Sequence, residues 1–383
     1  MSEVKVEENQ VNKNHQENKK SREKLFHITK RLDVSLKYKI IIRIISIFAA
    51  LVACAIVLFI FKPGKFGVFF KESFNSLVGS KSRFFNVLYE FALLLGIAIA
   101  ILPCFKMKFW NLGGEGQVLM GCLAAALISK YIGPKVPNFV AVILMIIGAM
   151  LAGGLWAFIP AFFKAKFDTN ETLFTLMMNY IAMGIVEFFV FFVNPTHGSF
   201  AGLTAGVYTG TTTTSVLISF IVVSLMTAFM FVYLNYTKHG YELSVVGETR
   251  NTAKYIGINV KGVIIRTAVI CGLLAGIMGY LVVAKQTSVN KDIIGGRGFT
   301  SVMIAWLGHM NVIEIIVMAF LVAFITRGSD RVSTMVDLHK SFIQITIATF
   351  LITILAFEFF LNYEIHFNKN FFKKKKELKE VEE

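Results

Sequence analysis

The chain has 383 residues, of which 55% are hydrophobic and only 16% charged, and its mean hydropathy is +0.65. A soluble domain carries about 25% charged residues, so a soluble globular protein is excluded. The apolar runs lack the period-two alternation of a membrane barrel. Inside lipid each backbone donor must then be satisfied within its own segment, which makes this an all-α polytopic membrane protein. The net charge of +15 is a statement about topology, not nucleic-acid binding, because positively charged flanks stay in the cytoplasm.

In chain order, residues 1–39 form a polar, basic arm without proline, a composition expected to be disordered or loosely helical. The first 43 residues hold 11 lysines and arginines. "LVAC" at 51–54 resembles a lipoprotein cleavage box, but the apolar run continues through it, so an uncleaved first span is expected. Spans long enough for about 30 Å of hydrocarbon are expected at 40–61, 84–105, 114–130, 138–163, 172–193, 214–235, 263–284, 311–326 and 341–362. A tenth, 299–309, is too short to cross alone at about 1.5 Å per residue. Residues 363–383 form a basic and acidic tail whose "KKKK" at 373–376 suits contact with anionic lipid. With both termini cytoplasmic, 26 of the 39 lysines and arginines lie in cytoplasmic segments, and an even number of spans is favoured.

Glycine interrupts this pattern twice, at "NLGGEGQ" (111–117) and at "GGRGFTSVMIAWLGH" (295–309). A broken or short helix in each half of the chain points to an inverted repeat with a substrate site near the membrane midplane. In the first break, Asn111 and Glu115 are four apart and share a helix face. Gly113, Gly114 and Gly116 let the backbone turn or another helix approach. An ionisable group inside a span costs about 2.5–3.5 kcal/mol on insertion scales and faces a partner or a cavity. Two readings of Asn111, Glu115 and Gln117 stand: a polar clamp closing the break, or a wall of the substrate pathway. The same pair of readings applies to the stripe Glu171, Thr175 and Asn179, where Thr169 or Asn170 is expected to cap the helix start. Gly276, Gly279, Gly298 and Gly308 are the small residues of the second half, suited to breaks and close packing. The polar stretch 236–262, cytoplasmic in this layout, carries Leu243, Val246, Ala253, Ile256 and Val260 at roughly helical spacing. That stripe fits either a soluble partner or the chain's own surface.

Motifs for chemistry are missing. There is no phosphate loop, no paired-histidine zinc signature and no serine elbow in the sequence. Cys54, Cys104, Cys122 and Cys271 have neither metal nor disulfide spacing and read as small core residues.

Five segments in the same order resemble one family. "NLGGEGQVLMG", "TNETLFTLMMNYIA", "VVGETRNTAKYIGINV", "CGLLAGIMG" and "GFTSVMIAWLGHMN" are similar to motifs of bacterial ABC-importer permeases of the nucleoside and simple-sugar class, relatives of ribose and branched-chain amino-acid permeases. Ser244, Thr249, Arg250, Cys271 and Val312 depart from the family pattern. The resemblance implies a non-enzymatic transport subunit of the bacterial cytoplasmic membrane that binds no cofactor of its own. ATP and magnesium would sit in a cytoplasmic ABC ATPase docked on the coupling loop 236–262, through Gly247, Glu248, Arg250, Ala253, Tyr255 and Gly257. A second permease chain, copy or paralogue, and an extracytoplasmic substrate-binding lipoprotein would complete the importer. The expected cargo is a nucleoside, with a simple sugar such as a pentose as the alternative. The rival class is an ion-coupled secondary transporter with Glu115 or Glu171 as proton carrier.

Overall fold

The computed structural model describes residues 26–31, 35–193, 198–201, 203, 212–286 and 288–367. Most of the amino-terminal arm and the 373–376 run lie outside the described residues.

Run length in the sequence sets helix length in the fold. Among the described residues nine helices are long and apolar enough to cross a membrane. They are α1 (Leu36–Phe61), α3 (Lys81–Lys106), α4 (Gly114–Tyr131), α5 (Asn138–Phe167), α6 (Glu171–Val193), α7 (Thr212–Tyr236), α10 (Val260–Lys285), α12 (Val312–Met335) and α13 (Ser341–Asn362). Four shorter helices fill the sequence order: α2 (Phe66–Val78), α8 (Lys238–Glu248), α9 (Arg250–Tyr255) and α11 (Arg297–Leu307). Short polar residues start the helices by accepting from the first free N–H groups. Ser80 accepts from Arg83 N, Asn170 from Leu173 N, Thr237 from Gly240 N, Asn259 from Gly262 N and Asn311 from Ile313 N. At the start of α6 the cap is therefore Asn170.

The chain divides into two compact units. The first, residues 1–53 and 349–383, joins strand β1 (Phe26–Lys30) antiparallel to β4 (Tyr363–Phe367), with Phe26 opposite Phe367. This pairing sets the start of α1 beside the end of α13. The short helix α11 lies between the long helices α10 and α12 in chain order.

The second unit is residues 54–348. Here α3 is buried along nearly its whole length and packs against α7, α10, α11 and α12. Helix α10 packs against α3, α4 and α5. Two stretches follow the same plan: α3, a glycine break, α4, then α5; and α10, a glycine break, α11, then α12. They pack crosswise, α4 on α10 and α11 on α3. The closest backbone approach is where α5 crosses α10. A Cβ at Gly153, Gly272 or Gly276 would run into the backbone of the facing helix, so only glycine permits this crossing. Gly279 meets the backbone of Val118 to Cys122 on α4 in the same way. Strand β2 (Phe200–Ala201) pairs with β3 (Ser288–Val289) in the connections after α6 and α10. All four cysteines are buried and unbridged.

Candidate functional site

The first break begins where α3 ends at Lys106. Lys108 takes a left-handed turn (φ 56°) and Phe109 N donates to Cys104 O at 2.9 Å. The chain then runs back along α3 to start α4 at Gly114, where an added Cβ would come into van der Waals contact with Ile101 and Ile97. At 1.5 Å per residue, α4 starts roughly 7–13 Å in from the end of α3.

A non-helical segment at that depth leaves backbone groups without helical partners, and each must be satisfied. The side chains do this. Gly113 N donates to Asn111 Oδ1 at 3.0 Å, and Gln117 Nε2 donates to the same oxygen at 3.1 Å. Leu112 N donates to Thr175 Oγ1 at 3.1 Å. Asn179 accepts from Gly116 N and donates to Leu112 O, both at 2.8 Å. Asn111, Gln117, Thr175 and Asn179 are all buried to 1% exposure or less, and their polar atoms bond to one another and to the break. Gly113 and Gly116 lie directly beside Asn111 and Asn179, where a larger residue would crowd these amides. Glu171 stands apart from this group, joined to Lys164 at 3.0 Å near the end of α5.

The second break is built differently. Gly295 and Gly296 both have left-handed backbones (φ 65° and 80°), a conformation that glycine takes without steric cost. Helix α11 then starts at Arg297. Glu115 joins the two breaks. Its carboxylate accepts from Gly296 N at 2.8 Å and from Gly298 N at 2.6 Å. A Cβ at Gly298 would strike the Glu115 backbone. Glu115 also lies in the first turn of α4, so two helix N-termini converge on one carboxylate. Each N-terminus carries about half a positive charge, which is why a buried carboxylate is stable there. Gly308 ends α11 against Ile315 of α12.

Arg297, at the start of α11, leads from this junction to a second buried carboxylate. Glu90, 1% exposed, accepts from Arg297 Nε at 2.6 Å and from Arg297 Nη2 at 3.0 Å. It also accepts from Arg327 Nη2 at 2.6 Å. One carboxylate thus ties α3, α11 and α12 together. Glu72 of α2 pairs with Arg331 of α12 at 2.6 Å in the same manner. A signal for these was present. Glu90 lies within an apolar run and must be neutralised there, and Arg297 and Arg327 are the opposite charges in or beside the apolar segments of the second half.

On the face where α3 ends, α8 and α9 lie across the helix ends. Leu243, Val246, Gly247, Ala253 and Val260 are buried, whereas Tyr241, Tyr255 and Ile256 are exposed. Most of the apolar stripe is therefore used by the chain itself. Glu248 and Arg250 are exposed, and Arg250 reaches Asp168 at 3.4 Å. Gly257 turns the chain out of α9 with φ 81°. A Cβ at Gly247 would sit 2.5 Å from Lys106 O, so α8 presses directly on the residues that lead into the first break. Glu242 accepts from Arg266 of α10 at 2.9 Å, and that guanidinium holds its carboxyl below the usual carboxylate range.

Comparisons with known proteins find relatives over most of the chain. The chain is 29% identical over 294 residues to the guanosine ABC transporter permease protein NupP of Bacillus subtilis, covering 74% of this chain and 82% of that protein. It is 25% identical over 280 residues to the nucleoside ABC transporter permease protein NupB of Lactococcus lactis, covering 68% and 76%. It is 24% identical over 317 residues to the glucose ABC transporter permease protein TsgB13 of Haloferax volcanii, covering 78% and 82%. No solved structure matches the chain. The profile of the branched-chain amino acid transport system / permease component family matches residues 83–355, from α3 into α13, and the chain belongs to that family.

Proposed function

We propose that this chain is the membrane-spanning subunit of a bacterial importer for nucleosides, working by alternating access in the cytoplasmic membrane with both termini in the cytoplasm. A partner ABC ATPase supplies the energy and holds ATP and magnesium. A second permease chain and an extracytoplasmic substrate-binding lipoprotein complete the assembly. The names of the guanosine and nucleoside relatives support the cargo. A simple sugar is the second reading, favoured by the glucose relative.

The observation that carries the mechanism is the seat of α8. Gly247 rests against Lys106 and Met107, and five residues later the Asn111 to Gln117 group begins. A displacement of α8 and α9 by the ATPase therefore reaches the first break through a short connection anchored by the buried Met107 and Phe109. Gly247, Glu248, Arg250, Ala253, Tyr255 and Gly257 form this coupling element, with Tyr255 and Ile256 facing the partner. Asn111, Glu115, Gln117, Thr175 and Asn179 frame the pathway by holding the breaks in shape, and Glu171 anchors α6 at its mouth.

Gly247→Arg tests the coupling. It is expected to abolish uptake while the lipoprotein still binds its ligand. Normal uptake in that variant would refute the coupling role. Uptake that follows a proton gradient and persists after ATP depletion would favour a secondary transporter instead.

A further inference from the structure

Beside the Glu90 pair lies a cavity of about 390 Å³ between α3, α11, α12 and the first half of α13. That volume lies within the range of about 300–1,000 Å³ typical of small-molecule sites. Its charges are balanced, with Glu90, Asp292 and Asp330 against Arg297, Arg327 and Lys340. Glu90 is already shared by two guanidinium groups, and Asp330 lies 3.8 Å from Arg327. Such a lining offers no net charge to select an ionic solute. It does offer two other things. Ile343 and Ile347 give the lining an apolar part, and the Arg297 and Arg327 side chains on the same cavity are about one quarter exposed, 26% and 25%. Planar guanidinium groups stack on aromatic faces. Thr300, Thr326 and the exposed amide of Gln344 supply neutral polar groups on the same cavity, and Arg327 Nε is buried without a hydrogen-bond partner among the described residues.

We propose that this chamber is the site where the permease holds its solute, and that it is built for an uncharged molecule with one flat aromatic part and one hydroxyl-bearing part, a nucleoside. The Asn111 to Gln117 group is then scaffold, because its polar atoms are satisfied by protein. Gly295 and Arg297 of the second break line the chamber, and Glu115 holds the adjoining Gly296 and Gly298, so a movement of that break alters its wall. The proposal rests on the importer reading above and adds the place and chemistry of the site.

The test uses cells carrying the complete importer and radiolabelled guanosine and uridine. Gln344→Ala is expected to lower the maximal uptake rate about tenfold, as for one lost hydrogen bond of ordinary strength, and Ile347→Trp, which fills the cavity, to abolish uptake. Ile352→Trp, at a 64% exposed position of the same helix, is expected to leave uptake unchanged. Membrane levels are followed by immunoblot, and Gln344→Ala decides alone if the tryptophan variant does not reach the membrane. Wild-type uptake in both chamber variants would overturn the site. If wild-type cells import neither nucleoside, the cargo is wrong, and the same variants are then read with ribose and glucose. Sugar uptake lost in Gln344→Ala and Ile347→Trp would overturn the nucleoside chemistry and keep the chamber, whereas unchanged sugar uptake would overturn the chamber as well.

Discussion

Glu115 is a carboxylate whose two oxygens each accept from a backbone N–H of another segment, Gly296 and Gly298. A glutamine there keeps one acceptor and turns an amide N–H₂ toward the second donor. One buried N–H is then left without a partner, at a cost of about 1–3 kcal/mol. Glu115→Gln is expected to lower the melting temperature of the purified protein and to slow uptake without abolishing it. An unchanged melting temperature would show that the junction of the breaks does not depend on the charge. This residue also shows where sequence reading stops. Its position in a glycine break and at a helix start was legible from "NLGGEGQ" alone. Its partners were not, because they lie 181 and 183 residues away and donate through backbone, which has no residue-type signature. Glu90 was missed for a related reason: its partners lie 207 and 237 residues away, and only the rule that a buried charge requires its opposite could have joined them.

At the scale of elements, the long helices were legible because span length follows from hydrocarbon thickness, and α11 was recognised as too short. The orientation of α8 and α9 was not legible. Helical spacing identifies an apolar stripe but not which surface takes it, and Leu243, Val246 and Ala253 turn into the chain. The hold of α8 on α10 depends on Glu242 and Arg266. Because the folded-state pKa of Glu242 is depressed, the contribution of this pair is fully present above the ordinary glutamate value of about 4.3. It is lost only as the pH falls through the lower, folded-state value. Hydrogen-exchange protection of residues 238–248, corrected for intrinsic rates, should stay level from neutral pH down through about 5 and fall only in stronger acid. In Glu242→Gln the protection should be lower at neutral pH and lose its acid dependence. A fall in wild-type protection near neutral pH would contradict this account.

For the whole molecule, the proposed topology has ten passes with both termini in the cytoplasm, and the β1–β4 pairing brings the start of α1 to the end of α13 as that topology requires. Single cysteines placed at Lys30 and Tyr363 should react with a membrane-impermeant thiol reagent from the same side as one at Asn251, and a cysteine at Lys291 from the opposite side. Labelling of the two end positions from different sides would contradict ten passes. That parity is the expectation from the basic ends, where charge counting needs no tertiary information, and the labelling tests it. How the two breaks meet was not legible, since it depends on crosswise packing of α4 and α11. Such labelling is simplified by a property of the native chain. Its four sulfhydryl groups all lie in the interior, where a water-borne alkylating agent has no access. A probe introduced at one surface position therefore reports alone, and the chain can be mapped in its natural sequence without first removing its own thiols.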